Sequence, residues 1–470
     1  MVRTRFAPSP TGYMHIGNLR TALYEYLIAK NKNGTFILRI EDTDQARYVE
    51  GSMDVILDTL RITGLLYDEG PDAPGKYGPY IQSERKDHYL PFAKELIAKD
   101  KAYYCFCLKK DESDGMQEYD RHCHGLPKSE IDSRLVAGNP FVIRQFIPPG
   151  KTTFQDEVFG DITIDHEEIE DQILIKSDGM PTYNFANVID DHAMAITHVV
   201  RGSEYLTSTP KYNLLYEAFG WDIPVYVHLP LMLNEQGEKI SKRRGDASFN
   251  DLLEMGYLPS AIINYIAFLG WSSPDNREYF TLPELVEVFD AKNISKSPSL
   301  FDHKKLAWMN GEHIKSLPVD EFYDMAKETL NRAIKSPGID IKNVARMVQS
   351  RVQFVNDSIE LVDFIDELPD YGIDLFTHKK MKTDPVVAKA ALEAVIPIYK
   401  ALNTWDNDTL YAAAVECAGN AGLKNSQVLW PIRTALSGKA TSFCGASELA
   451  ALLGKPESIR RLEAGLEKLN

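Results

Sequence analysis

The sequence lacks any apolar run approaching the roughly 18 residues of a membrane span. Its opening, Met1-Val2-Arg3-Thr4-Arg5, enters an apolar-alternating segment with no signal-type hydrophobic stretch, so a soluble, cytoplasmic protein is expected. Cysteine is scarce, with Cys105, Cys107, Cys123, Cys417 and Cys444 the only five. An odd number, three of them crowded together, argues against a secreted disulfide framework and for a reduced compartment with a candidate metal site. Positive charge is in deficit, 52 Lys and Arg against 68 Asp and Glu, for a net charge of −16. That argues against a protein coated for nucleic-acid binding, although a phosphate backbone meets a local patch and never the average. Low-complexity segments and fixed-period repeats are also missing.

What is present, in 470 residues, suffices for about three or four domains with ordinary hydrophobic content. The chain is organised around Pro8-Ser9-Pro10-Thr11-Gly12-Tyr13-Met14-His15-Ile16-Gly17-Asn18. A strand-like run, Val2 to Ala7, precedes it, and Leu19, Ala22, Leu23, Tyr26 and Leu27 follow at the spacing of an amphipathic helix. Strand, Pro/Gly loop and helix N-terminus together make an anion site, because first-turn amides lack intrahelical partners and carry the positive end of the dipole. Gly17 leaves room for a nucleotide, and His15 can hydrogen-bond a phosphate oxygen. By itself, a histidine beside a glycine is more often an ordinary satisfied residue.

Further along, Phe36 to Ile40 reads as a buried strand ending in Glu41-Asp42-Thr43-Asp44, which places Glu41 at a sheet's ligand-binding edge. A helix is expected over about 51–64, and another through Tyr89, Ala93, Leu96 and Ile97, after Gly78-Pro79-Tyr80-Ile81-Gln82-Ser83-Glu84-Arg85. From Ala102 the texture changes to Cys105-x-Cys107, Tyr119-x-x-x-Cys123-His124 and short β-like runs at 141–146, 160–164 and 173–176. This reads as an insertion between two halves of a nucleotide-binding sheet. Three thiols plus Tyr119, His122 or His124 can close a tetrahedral zinc site that staples a small lobe, buried free thiols being the alternative. The second half-sheet resumes around Pro181-Thr182-Tyr183-Asn184-Phe185-Ala186-Asn187-Val188-Ile189-Asp190-Asp191-His192, and a strand at 196–200 delivers Arg201-Gly202-Ser203-Glu204. Tyr183, Asn187 and Arg201 bring a phenol, an amide and a carboxylate-pairing guanidinium toward one crevice. The basic loop Lys239-Ile240-Ser241-Lys242-Arg243 has lysines that can follow a triphosphate, and beyond Phe249 the pattern is helix after helix, Val319 to Ala333 among them.

Taken together, PSPTGYMHIGN, RIEDTD, GPYIQSER, PTYNFANVIDDH and KISKR resemble the bacterial-type glutamyl-tRNA synthetases, of the class I aminoacyl-tRNA synthetases. The match is strong over the first 310 residues and looser through the helical tail. The resemblance implies an α/β Rossmann-like (HUP-type) parallel-sheet catalytic domain, an inserted α+β acceptor-binding lobe and an all-α C-terminal anticodon-binding region. The expected segments are 1–83 and 184–232 for the two Rossmann halves, 84–183 for the insertion and 233–317 for the KMSKS-like loop and stem-contact domain. Segments 318–372 and 373–470 would be two anticodon-binding helical domains. It further implies that L-glutamate is activated by Mg2+-ATP to glutamyl-adenylate and passed to the 3′ end of tRNA-Glu, by a protein expected to be monomeric. His15, Gly17, Asn18, Glu204, Lys239 and Lys242 would meet ATP, with His15, Lys239 and Lys242 carrying the catalysis. Arg5, Ser9, Glu41, Tyr183, Asn187 and Arg201 would hold glutamate, Arg201 on the γ-carboxylate and Glu41 on the α-ammonium. Arg351 resembles an arginine that senses the third anticodon base.

The departures are specific. The first motif ends in Asn18 where the family name-motif has His, and Arg243 stands where the basic loop usually has Ser. Gly125 occupies the place of a zinc-ligating His in some relatives, so the implied zinc set is Cys105, Cys107, Tyr119 and Cys123, with Tyr119 spaced as in a shorter paralogue that glutamylates a modified tRNA base. That paralogue lacks an anticodon-binding tail, and glutaminyl-tRNA synthetases carry a β-barrel tail instead of a helical one. A form that also charges tRNA-Gln, and a non-catalytic tRNA-binding homologue, are the remaining alternatives, the second opposed by the joint presence of His15, Glu41, Arg201 and Lys242.

Overall fold

A computed structural model describes residues 1–44, 47–107, 119–240 and 248–470, and the chain forms two compact units, Met1–Leu306 and Ala307–Asn470. The first contains β1 (Arg3–Phe6), α1 (Ile16–Asn31), β2 (Thr35–Leu38), α2 (Ser52–Thr63), α3 (Lys86–Ala98), β3 (Ala102–Cys105), α4 (Lys128–Val136) and β4 (Val142–Gln145). It continues with β5 (Lys151–Asp156), β6 (Gly160–Asp165), β7 (Ile173–Ile175), α5 (Tyr183–Ala193), β8 (His198–Gly202), α6 (Thr209–Phe219) and β9 (Val225–Leu229). β10 (Met232–Leu233), α7 (Phe249–Glu254), α8 (Pro259–Ala267), α9 (Leu282–Val288) and β11 (Ser299–Leu300) follow.

The central layer is mostly parallel. β1 pairs with β2 from Arg3–Thr35 to Phe6–Leu38, and β8 pairs with β9 from His198–Val225 to Gly202–Leu229. Thr197 N–H donates to Arg3 O at 3.0 Å and joins the two pairs. Strands covered on both faces read as continuous apolar runs, which is why Phe36-Ile37-Leu38 carries no alternation. α1 differs from the amphipathic expectation: Arg20, Tyr24, Glu25, Ile28 and Ala29 are buried along with Leu19, Ala22, Leu23 and Leu27 of the anticipated stripe, and Tyr26 is only half-buried. Its position explains this, because α1 packs on β1, β2 and β8 and also on α8 and α9.

Two differences concern the segment read as an insertion. Its hairpin β5–β6 extends the central sheet, Asp156 pairing in parallel with Tyr226 of β9 and Glu157 N–H donating to Tyr226 O at 3.0 Å. Its antiparallel sheet β3-β4-β7 shares one core with α3, α5 and α6, through Leu96, Ile143, Leu174, Phe185, Ile189 and Leu215. The thiol region adds only a small cluster, Tyr103, Cys105 and Cys123 with Tyr119, Val142 and Phe146 against it. The stretch read as resuming the sheet at Pro181–His192 is instead helix α5.

Three of the sequence motifs meet in a buried polar network. Asp191 of α5 accepts from Arg5 Nε at 3.0 Å and from Arg39 Nη1 at 2.7 Å. Arg5 Nη1 also donates to Glu25 Oε1 at 3.1 Å, and Arg39 Nη2 to Glu41 Oε1 at 2.8 Å. Next to it, Asp190 accepts from Gln82 Nε2, Arg85 Nε and the Tyr89 hydroxyl, at 2.9, 2.7 and 2.9 Å. Burial alone would raise Asp191, but Arg5 and Arg39 hold it below the usual carboxylate range. Burial keeps Glu25 well above that range despite Arg5, and raises Glu41 as well.

The second unit is helical: α10 (His303–Ser316) runs into it, followed by α11 (Val319–Ala333), α12 (Ile341–Val348), α13 (Ser358–Val362) and α14 (Pro385–Ala401). α15 (Asn407–Asn420), α16 (Asn425–Ser437), α17 (Ala446–Leu453) and α18 (Lys455–Lys468) complete it. α11 matches its expected span and buries Phe322, Ala326 and Leu330, one residue per turn. α14 packs on α15, α16 and α18. The fully buried Arg461 of α18 donates to the carbonyls of Phe364, Ile365 and Leu436 at 2.7–2.8 Å, and to Glu457. Among the described residues no helix is long and apolar enough to cross a membrane.

Replacing Asp191 by Asn keeps the side-chain volume but removes the charge shared by Arg5 and Arg39. The expected loss is about 3–5 kcal/mol, read as a lower urea midpoint for the first unit. Glu95→Gln, which breaks the half-exposed Lys99–Glu95 pair, should cost less than about 1 kcal/mol, and equal shifts for the two variants would contradict the network's role.

Candidate active site

A cavity of about 320 Å³ opens at the C-terminal ends of β1 and β8 and the N-terminus of α1. One wall is the first loop, with Ser9, Thr11, His15, Gly17 and Asn18, and the other carries Tyr183, Arg201, Glu204 and Lys239. His15 is the N-cap of α1, its Nδ1 accepting from Gly17 N–H at 3.0 Å. With Nδ1 accepting, the ring proton of the neutral form belongs on Nε2. A Cβ at Gly17 would stand 3.2 Å from His15 Nδ1, closer than ordinary contact, so the imidazole would have to give by a few tenths of an ångström.

The described residues on either side of the basic loop are held by different walls of the cavity. Lys239 bridges to Leu233, and Ile240 N–H donates to Met232 O at 3.1 Å. At the far end Ser248 bridges to His15, and Phe249 N–H donates to Met14 O. Lys239 Nζ lies 3.3 Å from Glu204 Oε1, so two side chains assigned to ATP face each other at the cavity. Lys242 lies outside the described residues.

Arg201 is buried on the same cavity, and its surroundings are neutral. Nε donates to His228 Nε2 at 3.1 Å and Nη2 to Thr209 Oγ1 at 3.0 Å. Tyr212, Tyr226 and Tyr205 present rings 4.4, 5.2 and 5.4 Å from its guanidinium carbon. Among the described residues no carboxylate pairs with it. Behind it His228 Nδ1 donates to Asp156 Oδ2 at 2.7 Å, both residues being inaccessible or nearly so.

Of the residues expected to bind glutamate, Arg5, Ser9, Tyr183 and Arg201 line the cavity, whereas Glu41 and Asn187 do not. Glu41 Oε2 and Asn187 Nδ2 are buried without a hydrogen-bond partner, and Glu41 contributes, after burial, to raising the Tyr183 phenol. Arg351 is exposed at the end of a 3-10 turn, Gln349–Arg351, in the second unit. Sequence reasoning missed Arg20 and Glu25, which line the cavity from α1, and also Asp156, Thr209 and His228. The signal for Arg20 was a charge one turn from Ile16 and from Tyr24 on a buried face, and for His228 a lone polar residue in the run Val225–Leu229. Asp156 falls on the inward phase of β5, a strand that the sequence reading did not anticipate.

Away from the cavity, the sulfur atoms of Cys105, Cys107 and Cys123 lie within 4.8 Å of one another. Tyr119 Oη donates to Cys105 Sγ at 3.2 Å, and Phe106 N–H to Cys123 Sγ at 3.3 Å. His122 is exposed, and His124 stacks on Phe146 with ring centroids 4.2 Å apart, so neither histidine joins the thiols. All five cysteines are free thiols.

Residues 1–308 match the family described as tRNA synthetases class I (E and Q), catalytic domain, and residues 321–466 match an anticodon binding domain. The chain is 56% identical to a glutamate–tRNA ligase of Clostridium novyi (strain NT) over 478 aligned positions, covering 100% of this chain and 98% of that protein. It is 53% identical to the glutamate–tRNA ligase of Clostridium acetobutylicum, covering 100% and 99%. The crystal structure of a glutamate tRNA ligase from Elizabethkingia meningosepticum CCUG26117, in complex with its amino acid, superposes with a TM-score of 0.83 at 33% identity and full coverage of both chains. The chain therefore belongs to the class I tRNA synthetases of the E and Q group, within the glutamyl-tRNA synthetase family.

Proposed function

We propose that the protein is a glutamate–tRNA ligase, which activates L-glutamate with ATP and transfers it to the 3′ end of tRNA-Glu. The α-carboxylate oxygen of glutamate attacks the α-phosphorus of ATP, the bond to the β-phosphate oxygen breaks, and diphosphate leaves. A terminal ribose hydroxyl of the tRNA then attacks the mixed anhydride, AMP departs, and the ester forms. The observation that carries this reading is Arg201, a buried guanidinium on the cavity with no carboxylate partner among the described residues. A cation so placed is costly until an anion arrives, and the side-chain carboxylate of glutamate supplies one where glutamine would not.

The remaining roles follow from position. His15 presents a ring N–H toward phosphate oxygens, and the first-turn amides of α1 favour negative charge there. Gly17, Asn18 and Glu204 line the ATP side, Lys239 and Lys242 meet the departing diphosphate, and Lys239 exchanges its contact with Glu204 for it. Mg2+ travels with ATP and spreads the triphosphate charge. Arg5, Ser9 and Tyr183 enclose the amino acid; Glu41 and Asn187 stand off the cavity lining, each with a buried unpaired polar atom, and would serve the α-ammonium and the substrate only on a movement that brings them to the cavity. The acceptor arm would lie along 84–183 and the anticodon on the helices after 318, with Arg351 at its third base. The protein would act as a cytoplasmic monomer. Cys105, Cys107 and Cys123 with Tyr119 fit a structural zinc ion, which would cross-link β3 to the turn His122–Gly125.

Aminoacylation of purified tRNA-Glu and tRNA-Gln tests the reading directly. Glutamate and ATP should charge tRNA-Glu, charging of tRNA-Gln as well would mark the broader form, and charging of neither would refute a ligase. Arg201→Ala should lower kcat/KM for glutamate by roughly 10²- to 10³-fold while the KM for ATP stays within about a factor of three. An equal loss toward both substrates would remove its assigned role. Metal analysis should find about one zinc per chain, lost in Cys123→Ser, and near-zero content in the intact protein would dismiss the site.

A further inference from the structure

Arg201 is aligned by groups that carry no charge of their own. Its Nε and Nη2 donate to an imidazole nitrogen and a hydroxyl, and three tyrosine rings surround its planar carbon. An acceptor carboxylate in either place would orient the guanidinium equally well, but it would also neutralise the charge that an anionic ligand needs. His228 accepts only if its Nε2 is bare, and that tautomer is dictated from behind. Asp156 Oδ2 receives His228 Nδ1–H at 2.7 Å and His228 N–H at 3.0 Å, while Asp156 Oδ1 receives Val158 and Phe159 N–H at 2.9 and 2.8 Å. Four converging donors fix this carboxylate in place. Asp156, His228 and Arg201 come from β5, β9 and β8, adjacent strands whose order in the sheet puts the three side chains in line.

We propose that Asp156 and His228 are positioning residues for amino-acid selection. Asp156 fixes His228 as the Nδ1–H tautomer, and His228 Nε2 in turn aims Arg201 at the substrate's side-chain carboxylate while leaving its charge unspent. The inference rests on the reading that Arg201 receives that carboxylate, and it adds the element that makes the guanidinium selective. Burial lowers the pKa of His228, and the neighbouring Arg201 charge works in the same direction against Asp156, which agrees with a neutral ring.

The full-length protein is assayed for tRNA-dependent, glutamate-dependent ATP–diphosphate exchange. His228→Leu removes the acceptor and should raise the KM for glutamate about 10- to 100-fold, with the KM for ATP within about a factor of two. His228→Gln, whose amide oxygen can accept from Arg201, should recover about tenfold of that loss. In protein labelled with 15N-histidine, the resonances absent from His228→Gln should report a ring protonated at Nδ1 and bare at Nε2 at neutral pH. A glutamate KM unchanged in His228→Leu, while Arg201→Ala is impaired, would overturn the positioning role and leave the ligase reading standing. If Arg201→Ala itself spares glutamate, the reading of the pocket falls, and the inference with it. Should His228→Leu fail to fold, the tautomer in the wild-type protein and the glutamate KM of His228→Gln decide. An Nε2–H ring or an imidazolium, or a Gln variant as impaired as Arg201→Ala, refutes the proposal.

Discussion

One carboxylate, Asp191, is shared by two buried arginines, and the first unit is arranged around that pairing. Arg5 lies on β1, Arg39 follows β2, and Asp191 lies on α5, so the pairing ties the two strands to a helix whose Asp191 is 186 and 152 residues further along the chain. A charge removed from water must be matched by partners in good geometry, and each missing partner costs several kcal/mol. Glu25, Glu41, Gln82, Asp190 and Arg85 extend the same demand through α1, the edge of the sheet and the start of α3. Hence residues of RIEDTD, GPYIQSER and PTYNFANVIDDH appear together: each is the counterpart of another in one buried set.

The cavity borrows its rigidity from this set. Arg5 belongs to both, paired to Asp191 and Glu25 on one side and lining the cavity on the other. The first loop is fixed by the His15 cap below and by the Ser248 bridge beside it, while Lys239 and Ile240 are held to Leu233 and Met232 on the opposite side. Two cationic side chains are held in different ways within about 320 Å³. Arg201 keeps its charge among neutral acceptors and aromatic rings, whereas Lys239 is paired with the half-exposed Glu204, a contact weak enough to exchange.

The second unit reaches stability by different means. Its helices bury periodic apolar faces, and the recurring polar exception, Arg461, satisfies three backbone carbonyls where helices end. The overall charge of −16 is compatible with a nucleic-acid partner because electrostatic attraction is screened within about 10 Å, so local patches decide it.

The sequence by itself determined the elements that depend on local periodicity and local chemistry. The strand, loop and helix around His15, the helix Val319–Ala333 and the crowding of three thiols were legible because their spacing is written in adjacent residues. Family motifs extended that legibility to Arg201 and Glu204, but not to what surrounds them. Only the tertiary structure decided that α1 is buried over most of its circumference, that hairpin β5–β6 belongs to the central sheet, and that Pro181–His192 is largely helix. It alone placed Asp156 and His228 behind Arg201 and left Glu41 and Asn187 off the cavity lining. The reason is that burial and partnership of a polar group depend on which strands become neighbours, and strand order joins residues whose separation along the chain carries no periodic trace.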